Sequence, residues 1–141
     1  MTRTDQIEVH LTAGPIADAV LRRLVSAVGA QGEVPIDRIH DATLIMDSLL
    51  GALATDRISA VLSPLEHGIE IAIGPLVDGE GTRILDATEL PELGSVVHGL
   101  SDRVWIDTRR GPQEYLCVRI SQVACCGVDP DRRSEPGFRS W

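Results

Sequence analysis

The run Ile58-Ser59-Ala60-Val61-Leu62-Ser63-Pro64-Leu65-Glu66-His67-Gly68-Ile69-Glu70-Ile71-Ala72-Ile73 puts apolar residues at every second position on both sides of a possible turn. A period of two is that of a strand with one buried face, so Ile69, Ile71 and Ile73 predict one strand. Ile58 to Leu62 predicts its partner, ended near Pro64, which has no N–H to donate. With Glu66-His67-Gly68 as the turn, the two strands form a hairpin, and an antiparallel sheet becomes the centre of the fold.

Upstream of the hairpin the period changes to that of helices. Ile16, Val20, Leu21, Leu24, Val25 and Val28 recur at spacings of three and four and predict a helix ended by Gly29 and Gly32, with Asp18, Arg22 and Arg23 away from the core. Ile36, Ile39, Leu44, Met46, Leu49, Leu50 and Leu53 trace a broad apolar surface, which predicts a second helix of about five turns from Pro35 to Ala54. Before both, Ile7, Val9 and Leu11 alternate with polar residues as a first strand ended by Gly14-Pro15.

Downstream, Gly74 to Glu89 has no sustained period and reads as a long loop. A short helix from Pro91 through Val97 and Leu100 follows. Val104 to Ile106 and Tyr115 to Ile120 then predict an antiparallel pair joined across Arg109-Arg110-Gly111-Pro112. The order strand, helix, helix, hairpin, loop, short helix, hairpin gives an α+β class: a two-layer α/β sandwich with a mixed, mostly antiparallel sheet. Residues 1–121 form the expected domain, and 122–141, rich in Gly, Pro, Ser and alternating charge, the expected flexible tail.

The chain has 141 residues, 43% of them hydrophobic, which is enough for one core. Its formal charge is -8, and all 13 basic residues are arginines, so general attraction to a nucleic-acid backbone is excluded while local arginine clusters can still meet an acidic partner. Phe138, Tyr115, Trp105 and Trp141 are the only aromatics, too few for a base-stacking platform. No stretch approaches the ~20 apolar residues of a membrane helix, and no charged start leads into an apolar run, so a cytoplasmic protein is expected. Cys117, Cys125 and Cys126 lack the spacing of a zinc or redox motif.

Catalytic groups are scattered. His10, His40, His67 and His98 fall in separate elements, and Asp37, Asp41 and Asp47 do not converge on one helical face. Val77-Asp78-Gly79-Glu80-Gly81-Thr82 is glycine-rich but lacks a phosphate-loop lysine or a dinucleotide fingerprint. No catalytic, cofactor or metal residue is therefore expected. The exposed pairs Arg22-Arg23 and Arg109-Arg110 are the expected protein-binding residues, able to meet carboxylates through charge-assisted hydrogen bonds.

The order of elements, with Asp41-Ala42-Thr43-Leu44-Ile45-Met46-Asp47-Ser48-Leu49-Leu50-Gly51-Ala52-Leu53 in the second helix, resembles the ATPase-like domain of bacterial anti-sigma factor serine kinases. These belong to the gyrase, heat-shock chaperone and histidine-kinase ATPase superfamily. Leu93-Gly94-Ser95-Val96-Val97-His98-Gly99-Leu100-Ser101-Asp102-Arg103-Val104 looks like that family's glycine-containing lid region, and the likeness spans Ile7 to Ser121. The resemblance implies a histidine-kinase-like ATPase fold. It also implies that Ser48 stands where the family has its water-activating Glu, Ala52 where it has its magnesium Asn, and Pro75 at the adenine-recognising Asp. Neither Ser48 nor Ala52 can perform the family's chemistry.

The resemblance thus implies a pseudoenzyme: an anti-sigma-factor-like regulator of transcription that binds a sigma factor, an antagonist or another regulator, with a homodimer possible through the first strand. A diverged ATP-dependent serine kinase using the displaced Asp47 and Asp78, or a small-molecule sensor reusing the pocket, are the alternatives.

Overall fold

The computed structural model describes residues 6–53, 56–90, 94–108 and 113–121. The expected connection at 109–112, the start of the short helix at 91–93 and the expected tail at 122–141 lie outside the described residues. Strand β1 (Ile7–Thr12) leads into helix α1 (Pro15–Gln31), whose Pro15 sits in the first turn, where a missing N–H costs nothing. Helix α2 (Ile36–Ala52) returns alongside α1, and strand β2 (Arg57–Leu65) pairs with β1, Ile7 opposite Leu62 and Leu11 opposite Ile58. Strand β2 runs antiparallel to β1.

Strand β3 (Gly68–Leu76) completes the hairpin, with Leu62 opposite Ile71 and Ala60 opposite Ile73. Pro64 lies inside β2 rather than at its end. It stands opposite Ile69 and beyond Leu62, the last β2 residue paired with β1 among the described residues, so no described strand calls on its missing N–H. The expected long loop contains helix α3 (Glu80–Ala87), which is followed by a two-stranded ribbon of β4 (Glu89–Leu90) and β5 (Gly94–Ser95). Helix α4 (Val96–Leu100) starts at a Ser95 cap rather than at Pro91, the Ser95 hydroxyl accepting from His98 N–H at 3.2 Å.

Strands β6 (Arg103–Asp107) and β7 (Glu114–Ser121) form the expected antiparallel pair. The five-stranded sheet has the order β1-β2-β3-β7-β6. The sheet expected to be mixed has only antiparallel neighbours among the described residues. The connection from β3 to β6 skips one position, β7 fills it, and the two strands that run the same way never touch.

The four helices among the described residues lie on one face of this sheet, which gives a two-layer α+β sandwich. Ile58, Ala60 and Leu62 of β2, Ile69, Ile71 and Ile73 of β3, and Leu116, Val118 and Ile120 of β7 face Leu21, Val25, Ile45, Met46 and Leu49 of the helices in one buried core. Three residues expected on apolar helix faces are instead exposed: Ile16 is 80%, Ile36 69% and Leu44 52% accessible. On α2 the buried positions are Arg38, Ala42, Ile45, Met46 and Leu49, which keep a strict three-and-four spacing with an arginine as the first member. No helix among the described residues is long and apolar enough to cross a membrane.

Candidate functional site

Helices α2 and α4 pack together and leave an open groove of about 490 Å³ lined by Leu44, Asp47, Ser48, Ser95, Val96 and Leu100. Little in it can do chemistry. Asp47 Oδ2 accepts from Arg22 Nη2 at 3.1 Å, and Ser95 is engaged as the cap of α4. Ser48, half-buried, contributes a hydroxyl to which no base among the described residues is hydrogen-bonded. The half-exposed Leu44 in its wall makes this a surface groove rather than the enclosed cavity that suits a small ligand.

The glycine-rich stretch takes a different role from a phosphate cradle. Gly79 has φ +86°, a conformation that glycine adopts freely, and it turns the chain into α3. The Gly81 N–H, in the first turn of α3, donates to Glu114 Oε1 at 2.7 Å, and Glu114 is only 5% exposed. A carboxylate from β7 thus neutralises the positive end of α3. A Cβ at position 81 would lie 2.6 Å from Ile106 Cδ1 and 3.0 Å from Glu114 Oε1, so a larger residue there would have to push these two side-chain ends aside. The other side of α3 is tied to α2 by Arg83, whose Nη2 donates to the Ala52 carbonyl at 2.8 Å and to Glu80 Oε2 at 2.6 Å. The hydrogen bond from Arg83 holds the Glu80 carboxyl below the usual range and raises the guanidinium in turn.

Of the four expected protein-binding residues, Arg22 and Arg23 lie on α1 and are exposed, while Arg109 and Arg110 lie outside the described residues. Arg22 is held to α2 by its ion pair with Asp47. The histidines stay apart. His10 Nδ1 is 2.9 Å from Ser59 Oγ, with Nε2 3.4 Å from Glu8, and His67 is 3.4 Å from Glu33. Among the described residues no three His, Cys, Asp or Glu side chains gather where a metal could be held.

Sequence reasoning missed three polar arrangements. One is the bond between Glu114 and Gly81. A second is Arg38, whose Nε donates to the Ser121 carbonyl at 3.1 Å while its two amino groups reach Asp41 at 2.6 Å and Asp102 at 3.4 Å. Asp102 also accepts from the Ser121 N–H and, at 2.6 Å, from its hydroxyl. The third lies on the sheet face away from the helices, where Arg103 stands 4.5 Å and Arg119 5.5 Å from the Trp105 ring centre. The only signal for the third was strand alternation, which places Arg103 and Trp105 on one face and Arg119 two positions from Cys117. No protein-family model matches the chain, and no curated protein matches it in sequence.

Proposed function

We propose that this chain is a noncatalytic regulatory domain that binds a protein partner, of the kind a degenerate anti-sigma factor represents, with the fold of the histidine-kinase-like ATPases and without their chemistry. The observation that carries the reading is the bond between Gly81 and Glu114. A nucleotide phosphate needs the backbone N–H groups of the glycine-rich turn and the positive helix end behind it. Here a buried carboxylate occupies that end and would repel a phosphate. On the resemblance, Ser48 and Ala52 would stand where the family has its base and its magnesium ligand, which supports the same reading.

The partner envisaged is a sigma factor, an antagonist or a comparable regulator. Arg23 is exposed for such a contact, and Arg22 is available at the cost of its pair with Asp47. The outer side of β1 is unpaired among the described residues, which supports a homodimer joined along that strand.

Titration calorimetry with ATP and magnesium tests the loss of nucleotide chemistry. No saturable heat is expected up to about 1 mM nucleotide, a concentration at which even a weak site of about -4 kcal/mol is half filled. Binding that is abolished by Asp47→Asn or Asp78→Asn would reverse the reading in favour of a diverged kinase.

A further inference from the structure

We propose that β1 pairs edge to edge with β1 of a second copy of this chain about a two-fold axis at Val9, so that Glu8 of each copy faces His10 of the other. The proposal rests on the homodimer named above and supplies its register and the residues that select it.

Strand β1 is paired along its inner side to β2 without a break, from Ile7 opposite Leu62 to Thr12 opposite Arg57, and no described strand lies on its outer side. Edge strands are kept single by a proline, a bulge, a lysine or a charge turned toward the core, and Ile7–Thr12 has none of these. Its one carboxylate, Glu8, is exposed on the side away from the helices. Ile7, Val9 and Leu11 turn toward the helices but stay half-buried against the core, whereas Leu62, Ala60 and Ile58 opposite them are buried. The difference is that β2 has a neighbour on each side and β1 has one. A second β1 would cover the three half-buried residues.

The pattern of the strand selects one register. Two copies related by a two-fold axis pair antiparallel, and residues directly opposite each other share a sheet face. Apolar faces meet only when the axis passes through a residue, since a slip by one would set the helix side of one copy against the open side of the other. An axis at Glu8 sets the two Glu8 carboxylates together, and like charges directly opposite are destabilising. An axis at His10 sets the two imidazoles together and leaves Ile7 outside the paired segment. An axis at Val9 sets Ile7 against Leu11, Val9 against Val9, and Glu8 against His10 on both sides of the axis. The side chains suit this register. His10 Nδ1 is 2.9 Å from Ser59 Oγ, directly across on β2, and when Ser59 donates, the ring proton lies on Nε2 and faces a carboxylate as donor. Nε2 is 3.4 Å from Glu8 of its own chain, longer than a well-formed hydrogen bond, and both side chains are exposed. Residues two positions apart on one strand are about 6.7 Å apart, whereas directly opposite ones have Cβ atoms about 5 Å apart, so the facing Glu8 is the nearer partner. Arg57, opposite Thr12, is the other charged side chain on this side of β1 and β2, so the register brings no two acids directly opposite each other. A strand this short makes a small interface, and the dimer is a weak, concentration-dependent one.

Sedimentation velocity of the full chain in reducing buffer, at concentrations up to about 1 mM, tests the register. The runs are made at about pH 6, below the ordinary histidine value of about 6.5. A reversible dimer is expected. His10→Glu sets two carboxylates against each other on both sides of the axis and should weaken it at least about tenfold. Combining Glu8→His with His10→Glu exchanges the two residues and recreates both pairs, so it should restore the dimer to within about threefold of the unsubstituted chain. Both positions are exposed, so an unchanged melting profile separates lost pairing from lost fold. Glu8→Gln keeps the shape and removes the charge, and its expected loss of about threefold reads the same pair if His10→Glu does not fold. A chain that stays monomeric at about 1 mM overturns the register and the homodimer together. A dimer indifferent to His10→Glu, or one that the exchange does not restore, overturns the register alone. The nucleotide titration judges the noncatalytic reading separately.

Discussion

Arg38 occupies a helix position that the three-and-four spacing of its neighbours assigns to the core, and it can do so because every arm of its guanidinium is met. Its side chain is 6% exposed, and Asp41, Asp102 and the Ser121 carbonyl surround it. Replacing a buried ion pair as a whole can be neutral, but removing one partner strands the other charge. Arg38→Met is therefore expected to lower stability by about 3 kcal/mol in urea unfolding, the low end of the range for buried pairs, since Asp41 keeps some access to water. A loss under about 1 kcal/mol would mean that the network is not formed in solution. Helix geometry alone sets Asp41 beside Arg38, three positions on, but no periodicity argument could add Asp102 and the Ser121 carbonyl, which only the tertiary structure brings to the start of α2.

At the scale of elements, the strands of the five-stranded sheet and the two long helices were legible, while α3 and the ribbon of β4 and β5 were not. Strong alternation marks β1, β2, β3 and β7, and seventeen residues of helix repeat their apolar stripe often enough to be read. In α3 only Gly81 and Ile84 are buried, so an eight-residue helix offers no repeating stripe, and its glycines suggest a loop. What holds α3 is non-local: Glu114 at its start and the Ala52 carbonyl beside it. The pair of Glu80 with Arg83 adds a pH dependence. Because the folded-state pKa of Glu80 is lowered, its contribution is present above the ordinary glutamate value of about 4.3 and is lost as pH falls through the lowered value. Glu80→Gln should accordingly melt below the unsubstituted protein at pH 7, with the gap closing as the pH falls below about 4 in parallel thermal scans. A gap that does not change with pH would assign the effect to something other than the charge.

For the whole molecule, one core joins the two layers, since residues of β2, β3 and β7 and of α1, α2, α3 and α4 belong to a single buried cluster. Sheet and helices should then unfold together. In the Trp141→Phe protein, Trp105 emission reports the sheet and far-ultraviolet circular dichroism chiefly the helices, and their urea midpoints are expected to coincide. Separate midpoints would divide the structure into two cooperative units. The same scale explains why the candidate surfaces were only half visible. Net charge argued against nucleic acid from composition alone, and arginine pairs adjacent in sequence were easy to notice. Arg103 and Arg119, sixteen positions apart, become a pair only through the register of β6 with β7.

The sequence by itself determined the elements with strong periods, their order, the antiparallel hairpin at the centre and the acidic, aromatic-poor character of the chain. These follow from local patterns, in which each residue's side is set by its neighbours two, three or four positions away. Only the tertiary structure decided that β7 enters between β3 and β6, that Ile16, Ile36 and Leu44 stay in water while Arg38 is buried, and that Glu114 closes the start of α3. Each depends on residues far apart in the chain, where the energy of burying or pairing a group is set by what packs against it and not by what precedes it.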